Sequence, residues 1–255
     1  MNQRRGKKEL PMKNDPILCS SAFRGELYPL ERRLSSKRKE GEIVFGELWE
    51  KQVAFLPVGV GPEVAEKTVS AFLPRIKPRL LILAGLAGGL SPDLPVGELV
   101  LVDGGFSLSA EGNLNPVFTV QGSLIKLAEK ALVDRNIPFT VGSSITLDTL
   151  LLSSEEKLSF FRRFPQLSIV DMEDTAVAKA AMSFNIPFLI IRIVSDSAKE
   201  DLKPVLSLYH SKKGLSRALI FLNPFSLFHL FSIWLRGIRL SSPLSQAVSA
   251  IISAL

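Results

Sequence analysis

The sequence predicts a single α/β domain with a central mixed, mostly parallel sheet flanked by helices, and three observations carry that expectation. The stretch LSIVDMEDTAVAKAAMSFNIPFLIIRIVSDSA at 167–198 sets two β-branched apolar runs around an alanine-rich segment of good helix formers, which reads as strand, helix, strand. The same alternation recurs throughout 16–198. A length of 255 residues with 46% hydrophobic content supplies enough apolar side chain for one sizeable core.

Residues 1–14 are basic and polar and read as a loose tail. Residues 17–19 form a short first strand running into SSAFRGEL at 20–27, a loop and helix start that places Glu26 at a sheet edge. The charged run 31–42 reads as a solvated helix end and turn. Residues 42–49 and 52–58 read as strands, the second entering Gly59-Val60-Gly61-Pro62. A helix over 63–73 is punctuated by Pro74 and Pro78.

Residues 80–84 are an apolar strand that runs straight into Gly85-Leu86-Ala87-Gly88-Gly89. Such a cluster lets backbone approach something closely, either a neighbouring strand or a ligand. It is not the GxGxxG pattern and has no Walker lysine. A strand at 99–102, a loop at 107–115, a helix over 122–134, a strand at 139–141 and a polar loop at 142–149 follow. Ser153-Ser154-Glu155-Glu156 then opens a helix that ends before Pro165. If the strands around the alanine-rich helix lie parallel in one sheet, their C-terminal ends bring Glu173 and Asp196 to one edge, where open α/β sheets place their ligand sites.

The one cysteine, Cys19, excludes an intramolecular disulfide, and its place in a buried strand favours inert packing over nucleophilic use. With only two separated histidines, a structural zinc site is not expected. No apolar h-region follows the charged N-terminus, so a cytoplasmic location is expected. The net charge of +6 is concentrated after Asp201, where Lys203, Lys212, Lys213, Arg217, Arg236 and Arg239 meet no acidic residue. No nucleic-acid recognition motif accompanies this basic segment, and its apolar character fits a peripheral membrane contact better. The apolar stretch from Gly214 to Leu235 is divided by Asn223, Pro224 and His229, which favours surface or packed helices over a spanning one.

Three carboxylates stand at the ends of separate elements: Glu26, Glu173 and Asp196. Carboxylates at different burial hold different protonation states at one pH, which suits acid/base work, while an all-oxygen magnesium site is the competing use. Simpler roles exist for two of them, Glu26 in a helix's first turn and Asp196 as an N-cap. Asp171 and Asp174 read as surface or capping groups. The crowding of Asp171, Glu173 and Asp174 at one strand end calls for a partner, which a hydroxyl-rich ligand would supply.

VDMEDTAVAKAAMSFNIPFLIIRIVSDSA at 170–198, VGVGPEVA at 58–65, LILAGLAGGLSPDLPVGELVLVD at 81–103 and SSAFRGEL at 20–27 together resemble the nucleoside phosphorylase and nucleosidase superfamily. Within it the chain is most similar to the hopanoid-associated phosphorylase branch. Methylthioadenosine/adenosylhomocysteine nucleosidases and futalosine hydrolases are the competing branches. The resemblance implies a nucleoside phosphorylase-like catalytic domain at 15–208, with a helical extension at 209–255. It also implies cleavage of the N-glycosidic bond of a 5′-substituted adenosine, adenosylhopane being one such substrate. Alternatives are phosphate-dependent cleavage to a ribose 1-phosphate and a non-catalytic, membrane-associated nucleoside-binding protein.

By the same resemblance Asp196 protonates purine N7, Glu173 beside Met172 holds the ribose hydroxyls, and Glu26 orients or deprotonates the attacking water. Gly85, Gly88, Gly89, Ser195, Thr146 and Arg24 are the remaining expected substrate contacts, and no metal or other cofactor is expected. The arginine that phosphorylases place ahead of the glycine motif is absent, Leu83 and Ala84 standing there, and Arg24 is the only basic side chain near a phosphate position. Water is therefore the expected nucleophile, with inorganic phosphate as the alternative co-substrate. Thr146 and Leu147 stand where nucleosidases carry a base-stacking phenylalanine. A nucleoside or lipid-linked nucleoside and a second copy of the chain are the expected partners.

Overall fold

The computed structural model describes residues 15–202 and 224–255, the side chains of 224–234 apart. Among the described residues ten strands form one sheet: β1 (Ile17–Ser21), β2 (Ser35–Glu40), β3 (Ile43–Leu48), β4 (Lys51–Pro57), β5 (Leu80–Gly89), β6 (Leu99–Leu108), β7 (Leu114–Thr119), β8 (Thr140–Thr146), β9 (Leu167–Asp171) and β10 (Phe188–Asp196). Around them lie α1 (Tyr28–Glu31), α2 (Pro62–Ile76), α3 (Gly122–Val133), α4 (Ser154–Arg163), α5 (Asp174–Ser183) and α6 (Pro224–Ala254).

The sheet runs β10-β6-β8-β9-β5-β1-β4-β3-β2, and an added β10–β5 pairing closes the first five strands into a ring. Strand β5 makes that closure. Its apolar half, Leu80–Ala84, is buried throughout and pairs in parallel with β1 on one side and β10 on the other. Burial on both faces is why this run is continuously apolar rather than alternating. The glycine cluster then continues the strand, and Gly88 pairs with both Val170 of β9 and Asp196 of β10.

Several elements differ from the sequence expectation. The run read as helix end and turn contains β2, whose six residues are all exposed at the sheet edge, and charged side chains are what a protected edge strand carries. Helix α2 passes through Pro74, which removes one N–H from its ladder, and is capped at Lys77 in the left-handed region. The loop expected at 107–115 is narrower, and β7 with its Pro116 pairs only with β6, a position where a missing N–H is tolerated. The polar run 142–149 is mostly strand β8. Strands β9 and β10 are not parallel neighbours: both meet β5, β10 in parallel and β9 antiparallel at Gly88 and Gly89.

The C-terminal half of α6 packs Leu240, Leu244, Val248, Ile251 and Ile252 into the main core, against α1 and α3. Among the described residues no helix is long and apolar enough to cross a membrane. The apolar stretch from Gly214 to Leu235 falls largely outside the described residues.

Candidate active site

The glycine-rich end of β5, the C-terminal ends of β9 and β10, and the turn before α1 enclose a cavity of about 400 Å³. That is within the usual range for small-molecule sites. Glu26, Glu173 and Asp196 all line it, with Met172, Ser195 and Gly88 between them. Phe23, Val60, Leu86, Leu150, Leu151 and Leu202 make an apolar wall. Among the described residues the charged members of the lining are Glu26, Asp171, Glu173 and Asp196, with neither lysine nor arginine.

Glu26 ends a short 3-10 turn, and its carboxylate is held by backbone alone: Phe23 N donates to Oε2 at 2.9 Å and Leu86 N to Oε1 at 2.8 Å. Burial raises its pKa above the ordinary value of 4.5, the two N–H groups and Arg192 opposing that shift. Glu173 stands just before α5, and Gly61 N donates to its Oε1 at 3.0 Å. Asp196 closes β10, its Oδ1 accepting from Ser195 Oγ at 2.6 Å and its Oδ2 paired with Lys157 Nζ.

Two cations that the sequence reading missed organise these acids from behind the wall. Arg192, wholly buried in β10, donates from Nε and Nη2 to Asp174 Oδ1 at 2.9 and 2.7 Å, and from Nη2 to Glu173 Oε2 at 3.4 Å. Burial works against its charge, but Asp174, Asp171 and Glu173 more than offset this and raise its pKa. The crowded acids at 171–174 thus meet a guanidinium within the chain. A lone Arg within FLIIRIV was the signal available for it. Lys157 gave no such signal: in the first turn of α4 it reads as a solvated helix residue, yet it is wholly buried.

Asp171 and Asp174 are buried rather than at the surface. Asp171 Oδ1 accepts from Glu173 N and Asp174 N, both at 2.7 Å, supplying the first free N–H groups of α5 with an acceptor. Burial and the neighbouring Asp174 raise its pKa well above the ordinary value. Thr146 is outside the cavity lining: it donates to Asp171 Oδ1 at 3.1 Å and accepts from Thr175 N at 3.0 Å. Arg24 is also outside, in a fork on Glu31 at 2.8 and 2.6 Å. Gly85 and Gly89 lie behind the lining, and Gly89 packs against the Asp196 carbonyl. Leu147 packs in a small cluster with Ile145 and Val170, while Thr149, Leu150 and Leu151 form that wall of the cavity.

At Gly85 an added Cβ would stand 2.5 Å from Arg192 Nη1 and 2.9 Å from Glu26 Oε1. Gly85→Ala is therefore expected to lower stability by about 1–3 kcal/mol, as overpacking does. Urea denaturation checks it, and an unchanged midpoint would show that both side chains give way freely.

A closed ring of mixed strands, extended on one side and carrying an acid-lined cavity at its glycine-rich end, defines the architecture of this α/β protein. The chain belongs to the phosphorylase superfamily, whose model matches residues 17–219. It is similar in structure to a 5′-methylthioadenosine/S-adenosylhomocysteine nucleosidase of Neisseria meningitidis in complex with methylthio-immucillin-A, with a TM-score of 0.75 and 22% identity over 95% of this chain and 100% of that one. The corresponding Colwellia psychrerythraea nucleosidase in complex with adenine matches with a TM-score of 0.74 and 21% identity, over 96% of this chain and 98% of that one. A futalosine hydrolase mutant of Helicobacter pylori matches with a TM-score of 0.73 and 17% identity, over 95% and 100%. At these identities the likeness establishes a shared fold.

Proposed function

We propose that the chain hydrolyses the N-glycosidic bond of a 5′-substituted adenosine and releases adenine. The observation that carries this reading is the lining itself: four acidic side chains and, among the described residues, no lysine or arginine facing the cavity. Such a wall suits a sugar that becomes positively charged as the base departs and repels an anionic nucleophile. The relatives named above, nucleosidases and a futalosine hydrolase, support the same reaction class.

In this reading protonated Asp196 gives its proton to purine N7, and the electron pair of the C1′–N9 bond leaves with adenine. Glu173 holds the ribose hydroxyls and favours the developing charge beside it. Water attacks C1′ and loses a proton to Glu26, so the products are adenine and the free 5′-substituted ribose. Arg24, already committed to Glu31, brings no free charge to a phosphate. The apolar wall favours an apolar 5′ group, which a methylthio substituent and the hopane of adenosylhopane both supply.

Glu26 must be ionised to accept the proton, so the rate is expected to fall as pH is lowered through its raised pKa. That acid limb of kcat/KM lies above pH 4.5 and is absent from Glu26→Gln. A limb unchanged in Glu26→Gln would assign it to another group. The reading as a whole is tested by incubating the purified chain with methylthioadenosine, adenosylhomocysteine, futalosine and adenosylhopane and measuring the released base. Release from at least one is expected, and a folded chain that cleaves none of them overturns it.

A further inference from the structure

Lys157 is the side chain whose position the proposed chemistry leaves unexplained. It is wholly buried, and burying an ammonium is unfavourable unless every donor finds an acceptor. Its Nζ contacts Asp196 Oδ2 and donates to Ser197 O at 3.0 Å and Glu200 O at 3.2 Å, three acceptors for three N–H groups. All three belong to the end of β10 and the segment just beyond it. Among the described residues the side-chain charge it meets is that of Asp196, since the Glu200 carboxylate is paired with Arg236.

We propose that Lys157 is a positioning residue for Asp196, fixing the acid where it can reach the base. The carboxyl group is held from two sides, by Ser195 Oγ on Oδ1 and by Lys157 on Oδ2, which sets its plane. The two carbonyls keep Lys157 in place after Asp196 takes up a proton, so the geometry is shared by the charged and neutral forms of the acid. The ammonium also ties the acid to the cavity wall. Ser153 and Glu156 cap α4 just ahead of Lys157, Leu202 N donates to Leu152 O at 2.7 Å, and Ser154 N donates to Asp201 Oδ1 at 2.7 Å. Leu150, Leu151 and Leu202 of that wall are thereby in register with the acid.

This inference rests on the acid role proposed for Asp196, and its test separates the two. K157M and K157R are compared with the wild type on adenine release and on hydrolysis of 4-nitrophenyl β-D-ribofuranoside, whose leaving group departs without a proton. For K157M the expected result is a loss of about 100-fold in kcat for adenine release with KM changed by less than about threefold, and less than about threefold loss on the aryl riboside. K157R, which keeps the charge, is expected to recover about tenfold. Parallel losses on both substrates, or no recovery in K157R, would reduce Lys157 to a fold-supporting residue and overturn the proposal. If K157M does not fold, K157R against the wild type decides: a loss confined to the purine nucleoside upholds the role, and a parallel loss or none overturns it. A wild type that releases no adenine contradicts the proposed function instead.

Discussion

Asp196→Asn is expected to slow adenine release by about 10²- to 10⁴-fold, the range over which a positioned general acid contributes, while leaving nucleoside binding within a few-fold. The amide keeps the size of the side chain and can still accept from Ser195, but it has no acidic proton to pass to the base. Hydrolysis of an aryl riboside, which needs no such proton, is expected to survive in the same variant. Rate measurements on both substrates check this, and an equal loss on both would show that the side chain supports the site rather than the leaving group.

Arg192→Met is expected to cost about 3–5 kcal/mol of stability, because removing one partner leaves buried charge uncompensated. Asp171, Glu173 and Asp174 would then face one another around an apolar side chain, Asp174 losing both contacts it makes at 2.9 and 2.7 Å. The loss depends on pH with a definite sign. The pKa of Asp171 is already raised by burial and by Asp174, so above its ordinary value of 3.8 the folded chain holds more protons than the unfolded one. Its contribution to stability is therefore present below that value and declines as pH rises through the raised one. The variant is expected to regain stability as pH is lowered towards that window, measured by thermal unfolding across pH. A melting temperature of the variant that fell with acidification would contradict this account of the cluster.

The strand-helix-strand reading of 167–198 placed Glu173 and Asp196 at element ends, and both face the same cavity with Glu26. Their convergence does not come from adjacent parallel strands. It comes from Gly88, which pairs with β9 on one side and β10 on the other because β5 continues through the glycine cluster, whose sequence left open a neighbouring strand or a ligand. Local pattern gives a strand's existence and leaves its direction and neighbours to the tertiary fold. Residues whose purpose is a long-range contact were illegible for the same reason. Lys157 and Asp196 are 39 positions apart, and Thr146 and Asp171 are 25 apart, so nothing near either residue signals the pairing. Arg192 differed, since a charge inside a buried strand needs a counter-ion and three acids stood at the end of the preceding one.

The sharpest measurement is the rate and product of adenosine-derivative cleavage in phosphate-free buffer compared with buffer containing inorganic phosphate. A cavity walled by carboxylates, with no lysine or arginine in its lining among the described residues, predicts the same rate in both, with adenine and the free 5′-substituted ribose as products. A rate that rises in proportion to phosphate and yields a ribose 1-phosphate would contradict it.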